Sequence, residues 1–233
     1  MQEAPIEVES LARRYGRRWA LLDLTFAIPA GSVVMVAGRN GSGKSTLFRV
    51  LGTAIRPDLG QARIAGFDVV RQRQDVRRLT ALLSHYSYLY EALTPRENLK
   101  VVADHLGFGH ELIVPLLERV LLAHRADDPV STFSAGMRKR LSFARVLLQR
   151  PRLVLLDEPY GALDPPGFAL VDDVVRELKA SGTTVMMATH QVARSAALAD
   201  LGMFLNSGRL AWLGPASEAV ANEAKAIGAE ASR

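Results

Sequence analysis

The sequence predicts an α/β fold. A mostly parallel sheet is covered on both faces, with an N-terminal antiparallel β-subdomain and an inserted α-helical subdomain. Three observations carry this expectation. The runs "SVVMVAG" (32–38), "RLVLLDEP" (152–159) and "TTVMMATH" (183–190) have strand length and a continuous apolar stretch, as strands buried on both faces do. Strand patterns alternate with helical ones, the order from which parallel sheets are built. Between about 86 and 150 the texture turns helical, which marks an inserted lobe within a single domain spanning 1–233.

Residues 6–9 and 19–28 alternate as strands do, with "RRYGRRW" (13–19) as the turn region between them. The run at 32–38 is the first buried strand, followed by a glycine-rich loop and the helical "STLFRVLG". "GQARIAGFDV" (60–69) predicts a short hairpin and "LTALLS" (79–84) another buried strand. Thr94, Pro95 and Glu97 spell a helix start, with Thr as N-cap, Pro at the first helical position and Glu at the third. "HELIVPLLERVLLA" (110–123) predicts a second helix. The run after "FSAGM" (133–137) predicts a third, with Leu141, Ala144 and Leu148 on one face. Beyond the strand at 152–159, Asp164-Pro165 opens a helix to about 180, and "ARSAALADL" (193–201) predicts another. "GMFLNSGRLAWLG" (202–214) reads as a hairpin about a Ser-Gly turn, and about 215–233 as a terminal helix or tail.

Hydrophobic residues at 48% and charged ones at 23% are ordinary for a folded soluble chain of 233 residues. The absence of cysteine excludes disulfides, thiolate zinc sites and cysteine nucleophiles. The N-terminus "MQEAPIEVES" reads as no signal peptide, and no apolar run approaches the length of a membrane span. The expectation is a cytoplasmic chain with no direct membrane insertion. A net charge of +5 raises the question of nucleic acid. The basic residues, however, fall in short groups: 13, 14, 17 and 18; 71, 73, 77 and 78; 138–140. No aromatic-interleaved signature accompanies them, so no nucleic acid is expected. They predict a solvated surface, with a face resting against a membrane-embedded partner as the alternative.

Chemistry enters with "GRNGSGKST" (38–46), which fits G-x-x-x-x-G-K-[ST] through Gly38, Gly43, Lys44 and Ser45. It follows a buried strand and opens a helix, as this motif must. The loop residues Gly38, Arg39, Asn40, Gly41, Ser42 and Gly43 wrap backbone N–H groups around a phosphate chain, continued by Thr46 on the helix. Lys44 reaches the outer phosphates, and Ser45 offers a hydroxyl to Mg²⁺. In "LVLLDEP" Asp157 closes a strand at its carboxyl end and is placed to hold the same Mg²⁺. Glu158, one residue on, is placed to orient or deprotonate the attacking water. In "FSAGM" three small residues open a basic helix. The simple reading is a helix capped by Ser134; the functional one is an anion site made of N–H groups at a helix start.

Taken together these motifs resemble the ATP-binding subunit of an ATP-binding cassette (ABC) transporter, from about residue 6 to 214. The resemblance implies a P-loop NTPase core and a Mg²⁺-dependent, transport-coupled ATP hydrolase. It also implies a membrane-spanning permease and a second cassette as partners, a homodimer being expected, with the chain peripheral on the inner face of the cell membrane. "FSAGM" stands at the family's signature, usually Leu-Ser-Gly-Gly-Gln. Ser134 and Gly136 keep that pattern; Phe133, Ala135 and Met137 depart from it. By the resemblance, Ser134, Ala135 and Gly136 contact the γ-phosphate held by the other subunit. Asp164 in "GALD" matches the D-loop at the dimer contact, His190 in "ATH" the switch histidine, and Tyr15 the aromatic stacked on adenine. The glutamine that normally opens the family's helical lobe is replaced by Tyr86, with His85 before it. A phenol is a poorer Mg²⁺ ligand than an amide carbonyl; the expectation is that Tyr86 or His85 nevertheless performs the relay. "SHYSYLYEALTPRENL" also resembles the haem-exporter branch, the ATPase of cytochrome c maturation, through Ser84, His85, Leu89, Tyr90, Leu93, Thr94, Glu97, Asn98 and Leu99. Haem export is therefore the expected cargo reading, with a drug, antibiotic or lipid exporter as the alternative. A soluble ABC-type ATPase acting on ribosomes or DNA is the alternative of another class.

Overall fold

The computed structural model describes residues 6–84 and 88–228, with side chains described as far as Glu223. Its strands are β1 (Ile6–Tyr15), β2 (Arg18–Ile28), β3 (Val33–Ala37), β4 (Leu59–Ile64), β5 (Phe67–Asp68), β6 (Thr80–Leu83), β7 (Leu153–Asp157), β8 (Thr184–Ala188), β9 (Leu201–Asn206) and β10 (Arg209–Pro215). Its α-helices are α1 (Lys44–Leu51), α2 (Arg73–Leu79), α3 (Pro95–Leu106), α4 (Ile113–Arg119), α5 (Ala135–Gln149), α6 (Pro165–Ala180), α7 (Val192–Ala196) and α8 (Ala219–Gly228). One sheet has the order β2-β1-β4-β5 and is antiparallel. The other has the order β10-β9-β3-β8-β7-β6, parallel except for the edge strand β10.

The apolar runs are buried for the reason their composition implies. Along β3, β7 and β8 every residue is buried, and successive side chains go to opposite faces. Val33, Val154, Leu156, Val185 and Met187 join the cluster formed with α3, α4, α5 and α6. Val34, Val36, Leu153, Leu155 and Met186 join the cluster formed with α1 and the antiparallel sheet. A third, smaller cluster puts Met35 and Phe204 against Ala219 of α8 and Trp212 of β10.

Local chemistry sets the helix starts. Thr94 caps α3 through a reciprocal capping box with Glu97, closed at the far end by Gly107 in the left-handed conformation. Ser134 caps α5 by accepting from the Met137 N–H at 3.2 Å. Asp164 caps α6, accepting from the Gly167 N–H at 3.0 Å.

Three expectations need correction, and one helix has no expectation at all. The first strand runs to Tyr15, because a bulge near Ser10 (φ 44°) inserts a residue between Val8 and Leu11 and breaks the two-residue alternation. Residues 13–15 and 18–19 therefore belong to paired strands, and the turn shrinks to 16–17. Helix α2 has no apolar period to betray it, since only Val76 of "RQDVRRL" is buried. The helix expected over 110–123 is confined to Ile113–Arg119. It is followed by Leu121 in the left-handed region (φ 61°), with the Leu122 N–H closing onto the Leu117 carbonyl at 2.8 Å. The helix expected over 193–201 ends at Ala196. Asp200 donates its N–H to the Val33 carbonyl at 2.8 Å and accepts the Val33 N–H at 2.9 Å, drawing the chain into β9. His85 and Tyr86, assigned the coupling role, lie outside the described residues, as do 1–5, 87 and 229–233.

Candidate functional site

Because β3, β8 and β7 are adjacent and parallel, the loops leaving their carboxyl ends emerge side by side. The loop after β3 is the glycine-rich run. Two of its glycines are sterically required. A Cβ on Gly38 (φ 140°) would lie 2.2 Å from the Leu205 carbonyl oxygen, and one on Gly43 (φ 109°) 2.5 Å from that of Ala20. The β9–β10 turn braces the loop from behind: the Gly208 N–H donates to the Ser42 carbonyl at 3.0 Å, and the Leu22 N–H to the Gly208 carbonyl at 2.8 Å.

The loop delivers the start of α1 into a cleft of about 740 Å³. It is lined by the 40–41 and 43–46 stretches, by Asp157, Glu158 and His190, and by Tyr15 and Arg18 from the β1–β2 hairpin. Gly38, Arg39 and Ser42 shape the loop without lining the cleft. Ser42 is buried, and among the described residues its hydroxyl oxygen has no hydrogen-bond partner. Lys44 is 7% exposed, and its ammonium donates to the Gly38 carbonyl at 2.7 Å and the Arg39 carbonyl at 3.3 Å. Burial pulls the Lys44 pKa down, against the nearby negative charges of Glu158 and Asp157. Tyr15 is half exposed at the cleft wall, with the Arg13 guanidinium 5.1 Å from its ring centroid.

Asp157 ends β7 at 6% exposure, opposite Ala188 of β8 in the ladder. Glu158 turns sharply out of the strand (φ 49°), and its N–H donates to the Ala188 carbonyl at 2.9 Å. That turn aims its carboxylate along the cleft, where Oε1 lies 3.2 Å from Nε2 of His190. Among the described residues no cation lies within ion-pair distance of Asp157. A buried carboxylate with no cation in direct ion-pair contact, sharing a cleft with the Ser45 hydroxyl, is a hard-oxygen pair that fits Mg²⁺. That ion prefers one or two such protein ligands plus phosphate oxygens and water.

Other predicted residues lie elsewhere. Ser134 and Gly136 line a separate cavity of about 390 Å³ with Met137, Arg140, Ala162 and Asp164. Ala135 is exposed beside them. Arg140 donates to Asp164 at 2.6 Å and thereby holds that carboxyl below its usual range. Within one chain the signature residues do not reach the phosphate loop's cleft.

Sequence reasoning missed two basic residues. Arg18 lines the cleft, although the hairpin run 13–18 reads as surface charge. Lys139, from the basic run of α5, donates to the Glu158 carbonyl at 3.1 Å. Its pKa is pushed down by burial, against the charges of Asp157 and Glu158. Nothing in the basic run 138–140 marked it for that contact.

Comparison with known proteins agrees with this fold. The ABC transporter family model matches residues 21–161. The daunorubicin resistance ATP-binding protein DrrA3 of Streptomyces coeruleorubidus is 40% identical over 94% of this chain and 70% of its own length. The lantibiotic transport ATP-binding protein SrtF of Streptococcus pyogenes is 33% identical over 88% of each chain. The Nod factor export ATP-binding protein I of Burkholderia lata is 32% identical over 90% of this chain and 70% of its own. Among solved structures, the ATP-binding subunit of an ABC transporter superposes with a TM-score of 0.86 at 28% identity, covering 96% of this chain and 94% of that one. A cassette dimer in a post-hydrolysis state, at 21% identity and a TM-score of 0.83 over 91% of this chain and 98% of its own, shares the fold. The chain belongs to the ABC transporter family, as one of its ATP-binding, ATP-hydrolysing subunits.

Proposed function

We propose that this chain powers an exporter whose cargo is drug-, antibiotic- or lipid-like, and that Lys44, Ser45, Asp157, Glu158 and His190 carry its ATP hydrolysis. The observation that supports the catalytic reading most is the convergence of these five residues on one cleft, with Glu158 and His190 3.2 Å apart. The relatives named for daunorubicin resistance, lantibiotic transport and Nod factor export favour this cargo class over haem export. A permease that spans the membrane is the partner the reading requires. No helix among the described residues is long and apolar enough to cross a membrane, and the chain would sit on the cytoplasmic face through that permease.

In this reading Tyr15 stacks on the adenine ring, and the N–H groups of the loop and of the first turn of α1 hold the phosphates. Lys44 exchanges its two carbonyl partners for phosphate oxygens. Ser45 and Asp157 would hold Mg²⁺, which would supply positive charge against that of the phosphates. Glu158 orients and deprotonates the attacking water, and His190 fixes the Glu158 carboxylate while facing the terminal phosphate. Catalysis comes mainly from positioning and charge stabilisation. Ser134, Ala135 and Gly136 complete the site of a second copy, with Asp164 at the contact between copies. His85 and Tyr86 relay nucleotide state to the permease; unchanged transport-coupled ATPase in both His85→Ala and Tyr86→Ala would remove them from that role.

The Glu158→Gln protein tests the composite site. With ATP it is expected to elute as a dimer, because nucleotide sandwiched between copies is not hydrolysed. A Glu158→Gln protein that binds ATP and stays monomeric would overturn the assignment of residues 134–136. Cargo class is tested in cells lacking the transporter, by comparing accumulation of an anthracycline, a lantibiotic and haem with and without the parent chain and its permease.

A further inference from the structure

Behind the cleft, and outside its lining, lies a cluster that the catalytic reading does not use. Tyr160 follows Glu158 by two residues and is 4% exposed. Its hydroxyl donates to Oδ1 of Asp172, a buried residue of α6, at 2.8 Å. Arg194 of α7 follows His190 by four residues and grips the same carboxylate with two donors: Nε to Oδ1 at 3.2 Å, and Nη2 to Oδ2. The Arg194 guanidinium also lies 5.5 Å from the Tyr160 ring centroid and 5.3 Å from that of Phe168. The two rings meet edge to face at 5.5 Å.

This arrangement has a mechanical consequence. The segments carrying Glu158 and His190 leave neighbouring strands, and on the strand side they are tied by the ladder and by the Glu158 N–H to the Ala188 carbonyl. Beyond the two residues, one segment runs into Tyr160 and the other into α7, a helix of only five residues. Such a helix has little cohesion of its own. Asp172 is where both segments are joined again, by a bidentate, charge-assisted pair on one side and a phenol on the other. Burial, reinforced by the Asp172 contact, pushes the Tyr160 phenol up, so it keeps its proton and remains a donor.

We propose that Arg194, acting through Asp172 and Tyr160, is a positioning residue that holds the Glu158 and His190 side chains in register. The proposal rests on the catalytic reading of those two residues. Arg194 does not line the cleft. Its removal therefore slows the chemical step and leaves nucleotide binding alone, since displacing reacting groups by a fraction of an ångström costs rate rather than affinity.

The experiment measures kcat and KM for ATP, and the ATP-induced rise in Tm, for Arg194→Ala in the parent chain. Single-turnover hydrolysis followed over hours is then compared for His190→Ala with and without Arg194→Ala. The expected result is a fall of about tenfold in kcat, with KM and the thermal shift within about twofold of the parent. In the His190→Ala background the same substitution should change the residual rate by less than about twofold, since groups acting as a unit are non-additive. Arg194→Ala leaves a buried carboxylate unpaired. If that variant does not fold, Arg194→Gln with Asp172→Asn, which removes both charges together, is judged by the same criteria. An unslowed Arg194 variant beside a slow His190→Ala protein would overturn the clamp alone, as would an equal loss of rate in both backgrounds. A His190→Ala protein at the parent rate would overturn the role of His190, and the clamp with it.

Discussion

Lys44→Met keeps the length of the side chain and removes its charge, so it separates what Lys44 does for the fold from what it does for the nucleotide. Without nucleotide the ammonium is almost wholly buried and donates to the Gly38 and Arg39 carbonyls. Two such bonds contribute about 1 kcal/mol each, and the cost of burying the charge opposes them. The nucleotide-free Tm should therefore move by only a few degrees in either direction. The loss of charge-assisted bonds to phosphate is worth about 3 kcal/mol in total, roughly a hundredfold in Kd. At an ATP concentration about 100 times the parent Kd, binding stabilises the parent by about 2.7 kcal/mol. For a chain of this length that is about 5 °C in Tm. For Lys44→Met the same ATP concentration should give less than about 1 °C. Thermal unfolding of both proteins with and without ATP decides the matter. A variant that keeps the full ATP-induced rise would refute the assignment of Lys44 to the phosphates.

Three further outcomes follow from the structure. Gly43→Ala places a Cβ 2.5 Å from the Ala20 carbonyl oxygen and 2.9 Å from a Leu21 methyl, at φ 109°. It should cost about 2 kcal/mol or more, lowering Tm and abolishing the ATP-induced rise, and a variant unchanged in both would show that the loop yields. Thr94→Ala removes the capping box of α3 and should cost about 1 kcal/mol, read as a shift in the urea midpoint. Glu97, whose carboxyl the Thr94 N–H and then the Thr94 hydroxyl hold below the usual carboxylate range, adds stability that is present above its unfolded pKa and lost as pH falls through its folded one. The stability gap between parent and Glu97→Gln should therefore shrink as pH is lowered from about 5 to about 3. A gap that widens would reverse the sign.

What could be read from the sequence was whatever short-range chemistry fixes. The continuous apolar runs gave β3, β7 and β8, because a strand buried on both faces has no polar side to show. Thr94-Pro95-x-Glu97, Ser134 and Asp164-Pro165 gave three helix starts, because a cap is a local hydrogen bond. Gly38, Gly43 and Lys44 were legible because a phosphate loop needs those residue types at fixed spacing. The second half of β1 was hidden by a bulge that shifts its alternation, and α2 by having a single buried residue. Both are settled by tertiary packing that leaves no period behind. Lys139 and the pair Asp172–Arg194 were illegible for a related reason. Each joins residues at least 19 apart in sequence, and a basic residue in a basic run carries no mark of the carbonyl or carboxylate it will meet.

Lys139 changes the electrostatics of the site. Asp157 and Glu158 alone would give the cleft two negative charges at the place a polyanion must enter. Lys44 and Lys139 supply two positive ones against them, and the two acids act to raise both lysine pKa values while burial lowers them. Two carboxylates and two ammonium groups thus share a partly buried space, in which burial is the larger influence on both lysines. In the proposed reading, attraction for the nucleotide also draws on groups outside this quartet: the N–H groups at the start of α1, with the positive end of its dipole, and Arg18 at the cleft wall. In that reading Lys44 would turn from its carbonyls to phosphate, and Asp157 would hold Mg²⁺, which would supply positive charge beside the acids. Lys139, fixed to the Glu158 backbone from α5, stays behind. It links the signature helix of this chain to its own Glu158, whereas the signature residues themselves line a different cavity. The Lys139 bond ties α5 of the helical lobe directly to the backbone that carries the Glu158 carboxylate.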